Sequence, residues 1–308
     1  SKSSIVSENK APIDSPITYM CVADVRKNTS GTWTFTSTDG SKALIQSKND
    51  KYAPTLFFDD AGTNLEVLGV ENVEFKTENE KPCIVSIHKN GTLNNAASNL
   101  DVLLTNMILE EEDKVIFPEG EYTLPMTLPS ITIQGTGRDK TIIKGAILIN
   151  GSANNTATDV KIKGLSIDYT PTKVTSGKCT PIIEVTGNAD LLIDNCIMNN
   201  NTQGYGDRKN PNPAEVLQNA ILLGATAKGT VHVENTTINL AANAQAGVLI
   251  DGELTDVSLV NTKIDGQVNG SNQFGVYIHH KKTPVTVDST TILLNNHYCI
   301  YANNAGDQ

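Results

Sequence analysis

Across the second half of the chain, apolar residues recur in one short phrase. In "VHVENTTINL", starting at Val231, apolar and polar residues alternate up to Asn235 and an apolar residue returns at Ile238. The phrase is repeated as "VKIKGLSID" at Val160, "LLIDNCIMN" at Leu191, "VSLVNTKID" at Val257 and "VTVDSTTIL" at Val285, with a weaker copy, "ITIQGTGRDKTII", at Ile131. Alternation with a period of two predicts a strand with one face inward. Copies starting at 131, 160, 191, 231, 257 and 285 are spaced as the coils of a solenoid are.

The fifth residue of each copy is Gly135, Gly164, Asn195, Asn235, Asn261 or Ser289. Gly and Asn tolerate a left-handed backbone, so a turn is expected there in every coil. Ile167, Met198, Ile238, Ile264 and Ile292 follow three residues later and begin a second strand. A third apolar phrase lies between copies: "NAILLGA" at 219, "AGVLIDG" at 246, "FGVYIHH" at 274 and "YCIYANN" at 298. Each coil therefore has three short strands, and stacking equivalent strands in parallel would bury one aliphatic column.

Helical periodicity is clear in one long segment, "SNLDVLLTNMILEEEDK", where Leu100, Leu103, Leu104, Met107 and Ile108 make a single stripe. Ser98 and Asp101 have capping-box spacing, and the acidic run Glu110 to Asp113 suits the end of a helix poorly, so it stops near there. A cap helix at about 96–111 would cover the open end of the array. A short strand, Val115 to Phe117, then runs into Pro118 and Gly120. Residues 17–92 read as a small β-rich region containing the only tryptophan, Trp33, as a core residue. Residues 1–16, polar and with Pro12 and Pro16, read as a flexible leader. The β-helix proper is expected over 93–308.

Composition narrows the function. Aromatic residues are only 5%, so the core is Val, Ile and Leu. The net charge is −10, with Arg26, Arg138 and Arg208 the only arginines, which excludes a nucleic-acid backbone binder. Cys21, Cys83, Cys179, Cys196 and Cys299 form no CxxC pair, and Cys196 falls at an inward position, so the cysteines read as small buried hydrophobes. No stretch is apolar for the roughly 20 residues that a membrane span needs.

The cap helix, "VIFPEGEYTL", "ITIQGTGRDKTIIKG" and coil phrases with Asn at the turn resemble the pectin-lyase-like superfamily over about residues 95–308. The resemblance implies an all-β, right-handed parallel β-helix (a solenoid) with an N-terminal amphipathic cap helix and a preceding small β region. It also implies action on polysaccharides through outward residues of adjacent coils. Likeness to pectate lyases would further imply a calcium-binding acidic cluster with an Arg base, but Arg138 lies in a turn and Arg208 in a loop. The NTD, DD, GHG and RIK motifs of polygalacturonases are absent from the repeat region.

Two constellations suit chemistry. On the first strand, Lys163, Asp194, Glu234, Val260 and Asp288 share a column, and adjacent Asp194 and Glu234 could hold calcium, the one cofactor considered, or divide acid and base roles. On the third strand, Leu222, Leu249, Tyr277 and Tyr301 align outside, beside Gly224, Asp251, His279 and Asn303, with Lys281 and His297 nearby. Stacked tyrosines pack on sugar C–H faces, and His279 oriented by Asp251 could transfer a proton. The insertion Asn199 to Asn219 adds Tyr205 and Arg208 as cleft-wall binders.

The expectation is a glycan-interacting protein, secreted or at the cell surface, with a lipid anchor upstream as one means of attachment. It is read as a diverged polysaccharide lyase or glycoside hydrolase. The alternative is a non-catalytic, adhesin-like scaffold or binding module, and a trimeric tail-fibre-like rod is a third reading. Polysaccharide is the partner, with no nucleic acid and no membrane span; no feature specifies an oligomeric state.

Overall fold

The computed structural model describes residues 32–34, 55–58, 64–66, 74–77, 82–91, 93–97, 100, 101, 103, 109–123, 126–169, 180–200, 219–241, 244–267, 273–279 and 282–302. Its contacts divide the chain into two compact units, residues 1–118 and 119–308. The expected leader over 1–16 lies outside the described residues.

In the first unit, strand Ile84–Ile87 is buried along its whole length and pairs antiparallel with Leu93–Ala97 on one side and Asp113–Phe117 on the other. Upstream, Thr32–Thr34, which includes Trp33, pairs in parallel with Asn64–Glu66, and Thr55–Phe58 with Glu74–Thr77. Ala96 and Ala97 close a strand, so the cap helix does not begin at 96. Among its expected residues, Leu100, Asp101 and Leu103 are helical, the two leucines buried and the aspartate exposed. Leu104, Met107 and Ile108 lie outside the described residues.

The second unit is a parallel β-helix. Each coil contributes one strand to each of three sheets. The first sheet stacks Ile131–Gly135, Thr158–Lys163, Ala189–Asp194, Thr230–Glu234, Asp256–Val260 and Val285–Val287. The second runs from Gly120–Thr123 through Thr141–Lys144, Ser166–Tyr169, Ile197–Asn200, Thr237–Leu240 and Lys263–Asp265 to Ile292–Leu294. The third stacks Met126–Thr127, Ile147–Asn150, Ile183–Thr186, Asn219–Leu223, Ala246–Ile250, Phe274–Ile278 and Tyr298–Ala302.

The register is the one the repeats predict: Val160 pairs with Leu191, Leu191 with Val231, Val231 with Val257 and Val257 with Val285. Two residues on, Ile133, Ile162, Ile193, Val233 and Leu259 form an inward column, each no more than 2% exposed. Each such side chain contributes about 1.5–3 kcal/mol on burial. Cys196 sits fully buried among them. Burial pushes its thiol up to about 11, so it remains a neutral packing group.

The turns after the first sheet use the left-handed backbone in four coils, with φ of 62° at Gly164, 53° at Asn195, 49° at Asn235 and 46° at Asn261. Two expected turn residues differ. Gly135 stays within its strand, and Ser289 does not take a left-handed φ. The first-sheet strand of that last coil ends at Val287, but Asp288 N still donates to Leu259 O (3.1 Å), so Asp288 continues the Lys163–Asp194–Glu234–Val260 column beside Val260.

Candidate functional site

The third sheet brings the proposed acid–base residues together through its register. Ile250 pairs with Ile278, so the residues that follow, Asp251 and His279, emerge side by side where the strands open into turns. Their backbones continue the ladder by one step: Asp251 N donates to Leu223 O (2.8 Å) and His279 N to Ile250 O (2.8 Å). The side chains meet at His279 Nδ1–Asp251 Oδ1, 2.5 Å. Both stay open to solvent, 53% exposed for His279 and 38% for Asp251. An ionised carboxylate can only accept, so Nδ1–H donates and the imidazole presents Nε2 outward.

Tyr277 and Tyr301 are register neighbours with ring centroids 5.3 Å apart. Tyr277 also lies 6.0 Å from the His279 ring. Two residues not anticipated in the sequence complete the cluster. Phe274 stacks on Tyr277 at 4.8 Å and lies 5.5 Å from Tyr298, and Tyr298 lies 5.5 Å from Tyr301. Phe274 opens its strand, is buried, and backs the more exposed rings of the cluster. His297 packs edge-on against Tyr298 at 4.5 Å, which places it at the margin of the cluster. Asn303, Lys281, Tyr205 and Arg208 lie outside the described residues.

The other predicted pair is also adjacent: Asp194 is the register partner of Glu234. Its chemistry is partly taken up, however, because Asn235 Nδ2 donates to Asp194 Oδ1 (2.9 Å) and Asn261 Nδ2 donates in turn to Asn235 Oδ1 (2.8 Å). Among the described residues, no third His, Cys, Asp or Glu converges on the pair.

A second polar ladder, unforeseen in the sequence, runs along the second sheet. Lys144 Nζ donates to Asp168 Oδ2 (3.1 Å), Asn199 Nδ2 to Asp168 Oδ1 (2.6 Å) and Asn239 Nδ2 to Asn199 Oδ1 (2.8 Å). The Asp168 carboxylate holds the Lys144 ammonium above its ordinary range. Farther along, Lys263 Nζ lies 2.7 Å from Asp265 Oδ2 and Asn295 Nδ2 donates to Asp265 Oδ1 (2.8 Å). Those two donors, the lysine foremost, hold Asp265 below the usual carboxylate range. Asp288 is lowered in the same way by the Thr290 and Thr291 hydroxyls. Such ladders tie coil to coil, and their signal in the sequence is only an Asn or Asp at a strand end.

A polar groove of about 220 Å³ borders the turns after the first sheet, lined by Arg138, Asn235, Asn261, Lys263 and Thr290 among others. Lys263 is paired there with Asp265, and the Asn235 and Asn261 amides with each other and with Asp194, so the Arg138 guanidinium is the group it turns to a polar ligand. The groove includes Arg138, which sequence position alone leaves in an isolated turn.

No family model matches the chain, and no curated protein matches it. Among solved structures, it is similar to an alginate lyase of family PL6, AlyGC, with 13% identity and a TM-score of 0.29, over 83% of this chain and 56% of that one. The chain thus spans a little over half the length of that structure. The parallel β-helix is established by the strand register of the chain itself.

Proposed function

We propose that the protein engages a glycan along the third sheet, with Tyr277 and Tyr301 as the sugar platform and His279, oriented by Asp251, as the proton-transfer group. The observation that carries this reading is the Nδ1–Oδ1 contact of 2.5 Å beside half-buried Tyr277 and exposed Tyr301, whose rings are 5.3 Å apart. In a chain only 5% aromatic, Tyr298 and Tyr301 stand exposed beside Tyr277, and packing on sugar C–H faces gives such rings a use. A carboxylate that fixes one imidazole nitrogen leaves the other directed at solvent, as general acid–base chemistry requires.

The reaction is a β-elimination or a hydrolysis of a glycosidic bond, in which Nε2 accepts a proton from the sugar ring or from water. Asp251 is already engaged by His279. It therefore orients the imidazole rather than serving as a free carboxylate of the two-carboxylate glycosidase route, which favours elimination. The ring cluster by itself favours the second reading, a binding module whose rings hold the glycan without chemistry.

The test is mass spectrometry of products after incubation with a panel of plant, algal and host polysaccharides. Products lighter by one water than hydrolysis fragments are expected. His279→Ala should lower turnover by about 10²–10⁴-fold while the fold persists, and Tyr301→Ala should weaken binding. Binding that survives with no cleavage would make the protein a scaffold. Neither binding nor cleavage would overturn the glycan reading.

A further inference from the structure

We infer that the first unit carries a divalent transition-metal site built from His88, Glu110 and Asp113. His88 directly follows strand Ile84–Ile87, and Asp113 opens the strand that pairs antiparallel with it, where Ile87 lies opposite Lys114. The ladder therefore brings together side chains that are 25 residues apart in sequence. A tight turn adds the third: Asp113 N donates to Glu110 O (3.2 Å) and Glu110 N to Asp113 Oδ2 (2.8 Å), which brings both carboxylates to the imidazole.

The imidazole stands at coordination-sphere distances from both carboxylates. His88 Nδ1 is 3.0 Å from Asp113 Oδ1 and 3.6 Å from Glu110 Oε2, and all three donors lie within 4.8 Å of one another. A cation bound at about 2.0–2.2 Å holds its ligand atoms about 3–3.6 Å apart. The remaining Asp113 oxygen is held by Asn94 Nδ2 (3.2 Å) and the Glu110 amide, the kind of outer support that orients a metal-binding carboxylate.

Electrostatics independently calls for a cation. The Asp113 side chain is 1% exposed, and among the described residues no lysine or arginine forms an ion pair with it or with Glu110; the neighbouring Lys89 is taken by Glu112 at 2.6 Å. A buried carboxylate facing a second carboxylate needs compensating positive charge, which a bound cation supplies. One nitrogen and two carboxylate donors suit zinc, manganese or cobalt, whereas calcium takes six to eight oxygens. Glu110, 68% exposed, and His88, 26% exposed, leave the site open for entry and for solvent ligands. Bound there, the ion would fasten the 110–113 turn to the end of strand Ile84–Ile87.

The experiment is titration of the chelator-treated full chain with zinc chloride by calorimetry, with cobalt(II) absorption as a second readout. One equivalent per chain is expected, together with a rise in Tm. Glu110→Gln, which alters an exposed side chain, and His88→Gln should each weaken uptake at least tenfold, while the His279→Ala/Asp251→Ala double variant keeps the stoichiometry. No uptake of zinc, cobalt or manganese would make the cluster a hydrogen-bonded strut and overturn the proposal. Uptake unchanged in both single variants, or lost in the double variant, would overturn it as well.

Discussion

Asn235 does two jobs with one side chain. Its backbone takes φ 49°, a conformation that costs most L-residues about 1–2 kcal/mol, and its amide bridges the coils by donating to Asp194 while accepting from Asn261. Replacing it separates the two contributions. Asn235→Ala keeps the strain and loses the bridge, and should cost about 1.5–3 kcal/mol in urea unfolding. Asn235→Gly removes the backbone strain and should cost about 1 kcal/mol. Equal losses for the two variants would show that the left-handed turn is not held by the residue type. Residue identity was informative here because few residues accept that φ. The hydrogen bonds were not legible, since they depend on rotamers that a one-letter pattern does not carry.

At the scale of the element, the strands were the most legible part of the molecule. Alternation at Val231/Val233 and Val257/Leu259 has a single solution, because a slip of one residue would turn every inward side chain to solvent. The same logic put Asp251 beside His279 and Tyr277 beside Tyr301. It failed where no alternation guides it: Ala96 is the inner part of a strand rather than the start of a helix. The His88–Glu110–Asp113 cluster was invisible because its members lie outside any repeated period. Strand ends also carry a pH dependence. Asp265, lowered by Lys263 and Asn295, contributes stability above the ordinary value near 3.8 and loses it as pH falls through its lower folded value. The wild type should therefore exceed Asp265→Asn by on the order of 0.5 kcal/mol at pH 6, with the Tm difference shrinking as pH falls below the ordinary value near 3.8. A difference that does not shrink on acidification would assign the contribution to packing.

At the scale of the molecule, the second unit is a stack in which each coil meets its neighbours through the same three ladders. Val231, Val257 and Val285 occupy one position in successive coils, and so do Leu249, Tyr277 and Tyr301. That equivalence makes the coil a unit of excision. Deleting residues 257–284 joins Asp256 to Val285, sets Val285 against Val231 and slides Tyr301 under Leu249. The product should be a folded β-helix shorter by about 4.8 Å, with its far-UV circular dichroism retained but without Tyr277 and His279. Deleting residues 257–270 removes half a coil, offsets every later strand from its sheet and should leave the end of the stack unfolded. A lineage built this way can lengthen, shorten or re-face its surface by whole coils without redesigning its interior, so its chemistry can change by recombination as readily as by substitution.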